Sequence, residues 1–328
     1  MTVFPVPAEW GPHRAMWVGW PSHDELWEAD LQAARGEVEA LVLALVGPGR
    51  ERVRLMVGKP EALADAQARF AGVQGVEVVD GRFGDVWLRD TGPIFGRGSA
   101  RAAAFRFNGW GGKYALEHDD AVAEQIGSAS GTPLDRHEFI LEGGALDHDG
   151  RGTVLTTRQC LLNPNRNPGW TQSQAEAALG HALGVTRVIW LDDGLLNDHT
   201  DGHVDNLVRF VGPGVAVCPF GWGEDDPNAA VYDAAARALT AAGQTVVRVP
   251  SPGRIVDEDG EPMPASHMNF LIANGAVIVP TYGEGAAARA ACGALATLFG
   301  GRQIIPLASS ALLTGGGSFH CISQQEPE

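Results

Sequence analysis

The same order of elements, a hairpin followed by a helix and a closing strand, recurs along the 328-residue chain. Segment 202–250 predicts it most clearly, with HVDNLVRF and VAVCPF as the hairpin, DPNAAVYDAAARALTAAG as the helix and QTVVRVP as the closing strand. The closing strands of successive units are predicted near 76, 137, 186, 245 and 303, about 50 to 60 residues apart. A period of that length is typical of an array of supersecondary units.

The hairpin in each unit decides between two architectures. An open doubly wound sheet, the simpler alternative, would show plain alternation of strands and helices. We therefore predict an α/β fold, a five-bladed α/β propeller of ββαβ units with pseudo-fivefold symmetry, with helices outside and strands lining the centre. No linker, low-complexity stretch or charge block divides the chain, so residues 1–328 are predicted to form a single domain.

The ring makes a second prediction, because the segments that follow the closing strands should gather on one side of the central axis. These segments hold the polar and reactive clusters of the chain: WLRD at 87–90, LEGG at 141–144, NDHTDGHVDN at 197–206, SHMNF at 266–270 and GGGSFHC at 315–321. The sequence therefore predicts one site to which every unit contributes.

Composition limits the partners that such a chain can have. A formal net charge of −16 argues against nucleic acid, because phosphate binding requires a basic surface. No apolar run approaches the roughly 20 residues that span a bilayer, and MTVFPVPAEWGPHR lacks the pattern of a signal peptide. We therefore expect no membrane partner and a cytoplasmic location. The sequence leaves open whether the chain forms a homo-oligomer.

Cys321 is the predicted nucleophile. It follows three consecutive glycines and opens the last short strand, SFHCISQQ, and glycines allow the close backbone approach that suits a reactive group on a pocket floor. A thiol becomes a good nucleophile when a nearby cation stabilises its thiolate. The chain has no C-x-x-C pair, which indicates free thiols, and the other three cysteines are predicted to be small buried hydrophobic residues: Cys160, Cys218 and Cys292.

The segment HTDGHVDN offers a base and a carboxylate. If it opens a strand, His203 and Asp205 share one face, where an imidazole could act as general base and a carboxylate could bind a cation. The two side chains could also bond only each other or cap a turn. His199, Asp201, His203 and Asp205 alternate like metal ligands, so a metallohydrolase is an alternative, although no complementary His or Cys cluster occurs elsewhere.

Asp90 in WLRDTGP and Glu142 in FILEGG are carboxylates at predicted strand ends beside glycines. An isolated residue of this kind usually belongs to a turn, but the position of both in the repeat favours the site. An acyl-transfer protease requires a nucleophile, a base and an oxyanion hole. A planar cation with three nitrogens instead requires carboxylates that bind it bidentately, so one Cys, one His and three acidic groups favour attack on a guanidinium carbon.

Long motifs along nearly the whole chain resemble the agmatine deiminase family, which includes bacterial-type peptidylarginine deiminases. They are AEWGPHRAMWVGWP, WLRDTGP, FNGWGGKY, LEGG, LLNPNRNPG, DHTDGHVDN, NFLIANGAVIVP and GGGSFHCISQQEP. The fold implied by the resemblance is the five-bladed propeller of guanidino-group-modifying enzymes. The reaction implied is hydrolysis of a guanidinium to a ureido product and ammonia, with agmatine yielding N-carbamoylputrescine.

The resemblance also implies a role for each residue that matches a family motif. Cys321 matches the nucleophile, His203 the general acid/base and Glu142 the carboxylate that supports this histidine. Asp90 and Asp205 match the carboxylates that hold the guanidinium. The partner implied is a small cationic guanidino substrate, and no metal or organic cofactor is implied.

Trp87 matches an aromatic side chain near the substrate, but two other positions depart from the family. His199 precedes Thr-Asp-Gly-His, where the family usually has an acidic residue that would suit the amine of agmatine. Ser318 and Phe319 replace the more usual Asn-Ile. Another guanidino compound or peptidyl-arginine therefore stays an alternative substrate, and an amidinotransferase, which passes the amidino group to an amine, is an alternative enzyme.

Overall fold

The computed structural model describes residues 6–283 and 285–328. Residues 1–5, part of the segment for which no signal peptide is predicted, and Glu284 lie outside the described residues. The strands are β1 (His13–Trp20), β2 (Val53–Val57), β3 (Val76–Asp80), β4 (Ile94–Phe95), β5 (Ala102–Arg106), β6 (Leu134–Ile140), β7 (Asp147–His148), β8 (Thr153–Thr157), β9 (Arg187–Leu191), β10 (Arg209–Gly212), β11 (Val215–Phe220), β12 (Thr245–Pro250), β13 (Leu271–Ile272), β14 (Ala276–Thr281), β15 (Gln303–Ala308) and β16 (Ser323–Pro327).

Short and long helices alternate with these strands. The α-helices are α1 (Asp24–Trp27), α2 (Leu31–Val46), α3 (Pro60–Arg69), α4 (Leu88–Thr91), α5 (Gly109–Gly112), α6 (Val122–Ser130), α7 (Arg158–Leu161), α8 (Gln172–Leu183), α9 (Ala229–Ala241), α10 (Ala286–Ala296) and α11 (Ser310–Thr314). Single 3-10 turns cover Glu28–Asp30, Arg97–Ser99, Asp119–Ala121, Gly143–Ala145 and Val204–Asn206. Within the described ranges, no helix is both long and apolar enough to cross a bilayer.

The strands form small sheets in the orders β16-β1-β2-β3, β4-β5-β6, β7-β8-β9, β10-β11-β12 and β13-β14-β15. In the sheets of three strands, the first two pair antiparallel and the third, reached through a helix, pairs parallel with the second. In the remaining sheet β1 pairs antiparallel with β16, so the two ends of the chain are joined. The fold is therefore mixed α/β, and the predicted closing strands are β3, β6, β9, β12 and β15.

The unit from β8 to β9 shows how the sequence specifies one repeat. Thr171 and Gln174 form a reciprocal capping box that begins α8, and Gly184, at φ 67°, ends the helix in the left-handed conformation. The buried side of α8 carries small and aliphatic side chains at helical spacing: Ala175, Leu179, Ala182 and Leu183. They pack on Val154 of β8 in one hydrophobic cluster, so the helix covers its own sheet.

Three local predictions were wrong. The apolar pattern of residues 24–46 predicts one long helical stretch, but Glu28, with a φ of 43°, interrupts it between α1 and α2. The segment HVDNLVRF does not begin as a strand: Val204–Asn206 is a 3-10 turn, and β10 starts only at Arg209. Cys321 does not open the last strand either, since β16 begins at Ser323.

The turn before His203 explains the second correction. Gly202 has a φ of 85°, and a Cβ atom there would lie 2.8 Å from Cα of Gly194. The hydroxyl of Thr200 accepts a hydrogen bond from the His203 amide at 3.0 Å, and the hydroxyl of Thr157 donates to the Gly202 carbonyl at 2.7 Å. These side-chain bonds satisfy backbone groups that a strand would use, so the chain turns here.

Candidate active site

Loops from all five sheets meet around one thiol, as the repeat predicts. Asn269 donates through Nδ2 to Sγ of Cys321 at 3.0 Å and to Oδ1 of Asn206 at 2.9 Å. Asp90 accepts a hydrogen bond from the backbone amide of Gly144 at 2.9 Å. Each of these residues comes from a different one of the five polar segments, so the repeat brings together groups that are far apart in sequence.

Cys321 lies in the turn between α11 and β16, with 5% of its surface exposed. Its Sγ is 3.7 Å from Oδ2 of Asp205. Burial, followed by the negative charges of Asp205 and Asp90, raises the pKa of the Cys321 thiol well above its usual value. Without a cation in the cavity, the sulfur is therefore held as a thiol, which can donate to one neighbour and accept from Asn269.

The carboxylate of Asp205 is fully buried and only partly paired. Its Oδ2 is 2.7 Å from Nδ1 of His320, whereas its Oδ1 has no hydrogen-bond partner among the described residues. Burial raises the pKa of Asp205, but the hydrogen bond and charge of His320 outweigh it, so the net shift is downward. An ionised oxygen without a partner beside a thiol is a ready acceptor for a cationic donor.

Asp90 is held from two sides. Its Oδ1 accepts from Gly144 as described, and its Oδ2 accepts from Nε1 of Trp110 at 2.9 Å. Gly144 is required for this approach, since a Cβ atom there would lie 2.8 Å from Oδ1 of Asp90 and 2.6 Å from Nδ1 of His203. Burial raises the pKa of Asp90, and the charge of His203 partly offsets that effect.

His203 is fully buried, and neither of its ring nitrogens has a hydrogen-bond partner among the described residues. Its Nδ1 lies 3.6 Å from Oδ1 of Asp90. Burial lowers the pKa of His203, but the carboxylate of Asp90 and the thiol of Cys160 outweigh it, and the pKa stands well above its usual value. The ring is therefore poised as an imidazolium, which is the proton donor that a departing amine requires.

Glu142 lies near His203 and is paired with a cation. Its Oε1 accepts from Nε of Arg166 at 2.6 Å, and both side chains are buried. Glu142, Cys160 and His203 have ligand atoms within 4.8 Å of one another, a spacing that could hold a metal ion. A metal ion there would face the guanidinium of Arg166, which already neutralises Glu142, so the charge balance favours a supporting pair over a metal site.

The alternative metal site formed by His199, Asp201, His203 and Asp205 requires Asp201 as a ligand, but the Asp201 carboxylate is occupied by other side chains. Oδ2 of Asp201 accepts from Arg166 at 2.5 Å and from Nδ2 of Asn165 at 3.0 Å, while its Oδ1 accepts from Lys113 at 2.6 Å. With three donors on its carboxylate, Asp201 supports the turn before His203 and has little capacity left for a metal ion.

A cavity of about 210 Å³ connects Cys321 and Asp90 to the outside. Trp87 forms part of its wall, with Nε1 donating to Oδ2 of Asp85 at 2.7 Å and its ring 6.2 Å from that of Trp27. Two tryptophans and two carboxylates, Asp85 and Asp90, thus line the buried part of the cavity, which suits a slim cation with an apolar chain.

At its outer end the cavity is lined by exposed side chains. Nδ1 of His199 is 3.2 Å from the hydroxyl of Tyr114, and the His199 carbonyl accepts from Nζ of Lys113 at 2.8 Å. Both rings also line a wider outer cleft of about 1100 Å³, together with Glu258 and Glu261. The tail of a bound molecule would therefore pass between His199 and Tyr114.

Residues 5–327 match the family model described as Porphyromonas-type peptidyl-arginine deiminase. The chain belongs to this family. An agmatine deiminase of Stutzerimonas stutzeri (strain A1501) is 36% identical over 357 residues, which cover 98% of this chain and 95% of that protein. An agmatine deiminase of Ectopseudomonas mendocina (strain ymp) is 35% identical over 356 residues, with 99% and 95% covered.

Solved structures of the family are similar along the same length. The agmatine deiminase of Enterococcus faecalis has a TM-score of 0.92 at 30% identity, covering 99% of this chain and 96% of that one. The C. jejuni agmatine deiminase with substrate bound has a TM-score of 0.90 at 27% identity, with 99% and 96% covered. The mixed α/β fold of this chain is therefore the fold of agmatine deiminases.

The structure adds residues that sequence reasoning missed. Cys160, predicted to be only a buried hydrophobic residue, is buried but lies against His203 and Glu142. Asn269 holds the thiol, and its segment was singled out in the sequence without naming the residue. The role of Trp110 could not be predicted from the FNGWGGKY motif alone. It depends on a backbone φ of 51°, which directs the indole to Asp90.

Proposed function

We propose that this chain hydrolyses a guanidinium substrate through a cysteine thiolate, converting agmatine to N-carbamoylputrescine and ammonia. Family membership and full-length similarity to agmatine deiminases identify it as an agmatine deiminase-like hydrolase of linear amidines. The observation that carries the cysteine mechanism is Oδ1 of Asp205, which has no hydrogen-bond partner among residues 6–283 and 285–328 and belongs to a buried carboxylate beside the Cys321 thiol.

The guanidinium is proposed to bind between Asp90 and Asp205. Donors on Trp110 and Gly144 hold Asp90, and Oδ1 of Asp205 is left for the substrate. A planar cation with several N–H donors satisfies two carboxylates at once, and bonds of this kind are strengthened in a buried site. This explains why two acidic groups remain next to the sulfur in spite of the cost of burying them.

The same binding step activates Cys321. Asp205 and Asp90 add to the effect of burial in raising the pKa of the thiol, so a cation bound between them removes the charge repulsion that opposes the thiolate. The enzyme thus forms its nucleophile only with substrate present. A thiol that stays protonated in the empty site is also protected from oxidation.

In the proposed chemical steps, the Cys321 thiol loses its proton to water as the guanidinium binds, Sγ attacks the central carbon, and His203 protonates one amino nitrogen. The C–N bond then breaks, ammonia leaves, and an S-alkylthiouronium remains on the sulfur. His203 next takes a proton from water, the hydroxide attacks the same carbon, and the C–S bond breaks to give the ureido product and the free thiol. Glu142, neutralised from behind by Arg166, would hold the imidazolium between the steps.

We also propose that the sheets are the blades of a five-bladed propeller. Supporting this, the sheets of three strands share one strand order, the sheet of four strands joins the two ends of the chain, and loops from all five sheets meet at the thiol. A cytoplasmic location belongs to the same proposal, since all four cysteines are free thiols, as in a reducing compartment.

A second candidate substrate is favoured by one observation. His199 and Tyr114, not a carboxylate, line the end of the cavity where the amine of agmatine would lie, and the outer cleft is wide. A guanidino compound with a neutral or bulky tail, including peptidyl-arginine, would fit this end. An amidinotransferase shares the first half of the reaction and differs only in the acceptor.

Ammonia release from a panel of agmatine, arginine, peptidyl-arginine and short guanidino acids tests the proposal. We expect ammonia and a ureido product without an added amine, inactivation by a thiol alkylator, and no inactivation by a chelator. No ammonia from any member of the panel would contradict the proposed function. Product that requires an amine acceptor would indicate a transferase, and loss of activity with chelator alone would indicate a metallohydrolase.

A further inference from the structure

His320, the residue directly before Cys321, is buried between two carboxylates. Its Nδ1 lies 2.7 Å from Oδ2 of Asp205, and its Nε2 lies 3.1 Å from Oε2 of Glu9. Both partners are carboxylates, so each ring nitrogen faces an acceptor oxygen. None of the roles assigned so far uses this side chain.

The second carboxylate is itself fixed from three sides. Glu9 forms an ion pair with Arg209, and its Oε1 accepts from the Ile272 amide at 2.7 Å. Burial raises the pKa of Glu9, but the charges of Arg209 and His320 lower it more, so the net shift is downward. Arg209 is fully buried and also donates to Oδ1 of Asp147 at 3.1 Å, so Glu9 cannot follow a moving His320.

The other groups around His320 restrict it to one position. Its backbone amide donates to Oδ1 of Asn269 at 2.9 Å, and the Cys321 amide donates to the same oxygen at 3.2 Å. Its carbonyl accepts from Nε of Arg89 at 3.3 Å, which adds a further positive charge nearby. Backbone and ring are therefore both held, and the ring can set the orientation of Asp205.

We infer that His320 is a positioning residue that binds Oδ2 of Asp205, so that Oδ1 is turned to the substrate guanidinium beside Cys321. The inference rests on the proposed function and deepens it, because it explains why one oxygen of a buried carboxylate has no partner in the described part of the chain. Glu9, on the segment before β1, then holds His320 in place, although the two residues are near opposite ends of the sequence. The nucleophile and the residue that orients the substrate carboxylate are neighbours in one turn, so their separation is set by the backbone.

Two substitutions separate this role from a structural one. His320→Asn keeps an N–H donor near the position of Nδ1 and loses the contact with Glu9, whereas His320→Gln keeps a donor near Nε2 and loses the contact with Asp205. We expect His320→Gln to raise KM for the guanidino substrate roughly 10-fold or more, and His320→Asn to raise it less than about threefold. The exposed His181→Asn on α8 is the control and should leave kcat and KM unchanged.

Thermal unfolding of each variant accompanies the kinetics. Equal KM values in both His320 variants, whether both raised or both unchanged, would overturn the inference, because a purely structural role makes no distinction between the two nitrogens. If neither variant folds, Glu9→Gln carries the test: it removes the charge but keeps an acceptor for Nε2. We then expect KM to rise about threefold, and an unchanged KM would overturn the inference. A wild type that releases no ammonia from any guanidino substrate contradicts the proposed function instead.

Discussion

At the inner end of the cavity the charged groups are buried, and several are held by another residue, as Asp205 is by His320 and Glu142 is by Arg166. At the outer end, His199 and Tyr114 are exposed, and their side chains contact each other. The inner groups cannot be changed without leaving a buried charge unpaired, whereas the outer ones face solvent. Substitutions at the inner end should therefore change the reaction rate strongly. Substitutions at the outer end should change the preference among substrates only weakly.

The largest effect should come from the nucleophile itself. Cys321→Ala is expected to lower kcat for ammonia release by about 10⁴-fold or more, because the variant lacks the thiol that forms the covalent intermediate. Cys292→Ala, a half-buried thiol on α10, is the matched control and should keep wild-type rates. Substantial turnover by the Cys321 variant would mean that the inner end is not a nucleophile site.

Asp205→Asn should have the second-largest effect. It should weaken substrate binding while making the Cys321 thiol more reactive. Loss of one guanidinium partner is expected to lower kcat/KM by about 10³-fold. After burial, Asp205 is the largest cause of the raised pKa of Cys321, so removing its charge lowers that pKa. The thiolate fraction at a fixed pH then rises, and Cys321 should be alkylated faster than in the wild type.

Peptide mass spectrometry after timed alkylation, from neutral to alkaline pH, measures this at Cys321 alone. When the alkylation rate of Cys321 is plotted against pH, the rise should occur at lower pH in the variant than in the wild type. A curve shifted to higher pH, or slower alkylation throughout, would contradict the assigned charge of Asp205.

Glu142→Gln should have an intermediate effect, since Glu142 acts through His203. We expect kcat to fall by about 10²-fold with KM nearly unchanged, because the variant no longer stabilises the imidazolium but leaves the guanidinium contacts intact. Steady-state kinetics on agmatine checks this. A rise in KM without a fall in kcat would instead assign Glu142 to substrate binding.

The smallest effect is expected at the outer end. His199→Glu should raise kcat/KM for agmatine roughly 2- to 5-fold, as an exposed carboxylate near a substrate ammonium contributes only modestly. His199→Gln, of similar size but uncharged, is the control and should show no gain. A His199→Glu variant with a lower kcat/KM for agmatine, or with a change of more than 100-fold, would show that the outer residues affect the reaction as strongly as the inner ones.

Much of the inner site could be predicted from the sequence, because its residues lie in the loops of a repeat. Cys321, Asp90 and Asp205 stood out as reactive groups beside glycines, and the regular spacing of the units indicated that their loops would meet. His203 was expected on a strand and lies beside a 3-10 turn instead, since the pattern of apolar residues carries no information about side-chain bonds such as that of Thr200.

The supporting residues could not be predicted in the same way. Asn269 and Arg166 act through hydrogen bonds to loops from other units, and no local pattern records such contacts. Cys160 is buried, as predicted, but its proximity to His203 could not be predicted, because that contact joins segments far apart in sequence. Glu9 is more than 300 residues from Cys321 in sequence, and only the pairing of β1 with β16 brings their segments together.

The most direct test of the central claim is a rapid acid quench of the enzyme with agmatine, followed by peptide mass spectrometry. The account predicts an adduct on the peptide that contains Cys321, with the added mass of agmatine less one ammonia. It should accumulate in His203→Ala when the substrate analogue carries a better leaving group than ammonia, because release of the adduct requires a base. Turnover of agmatine without any adduct on Cys321, together with activity of Cys321→Ala, would contradict it.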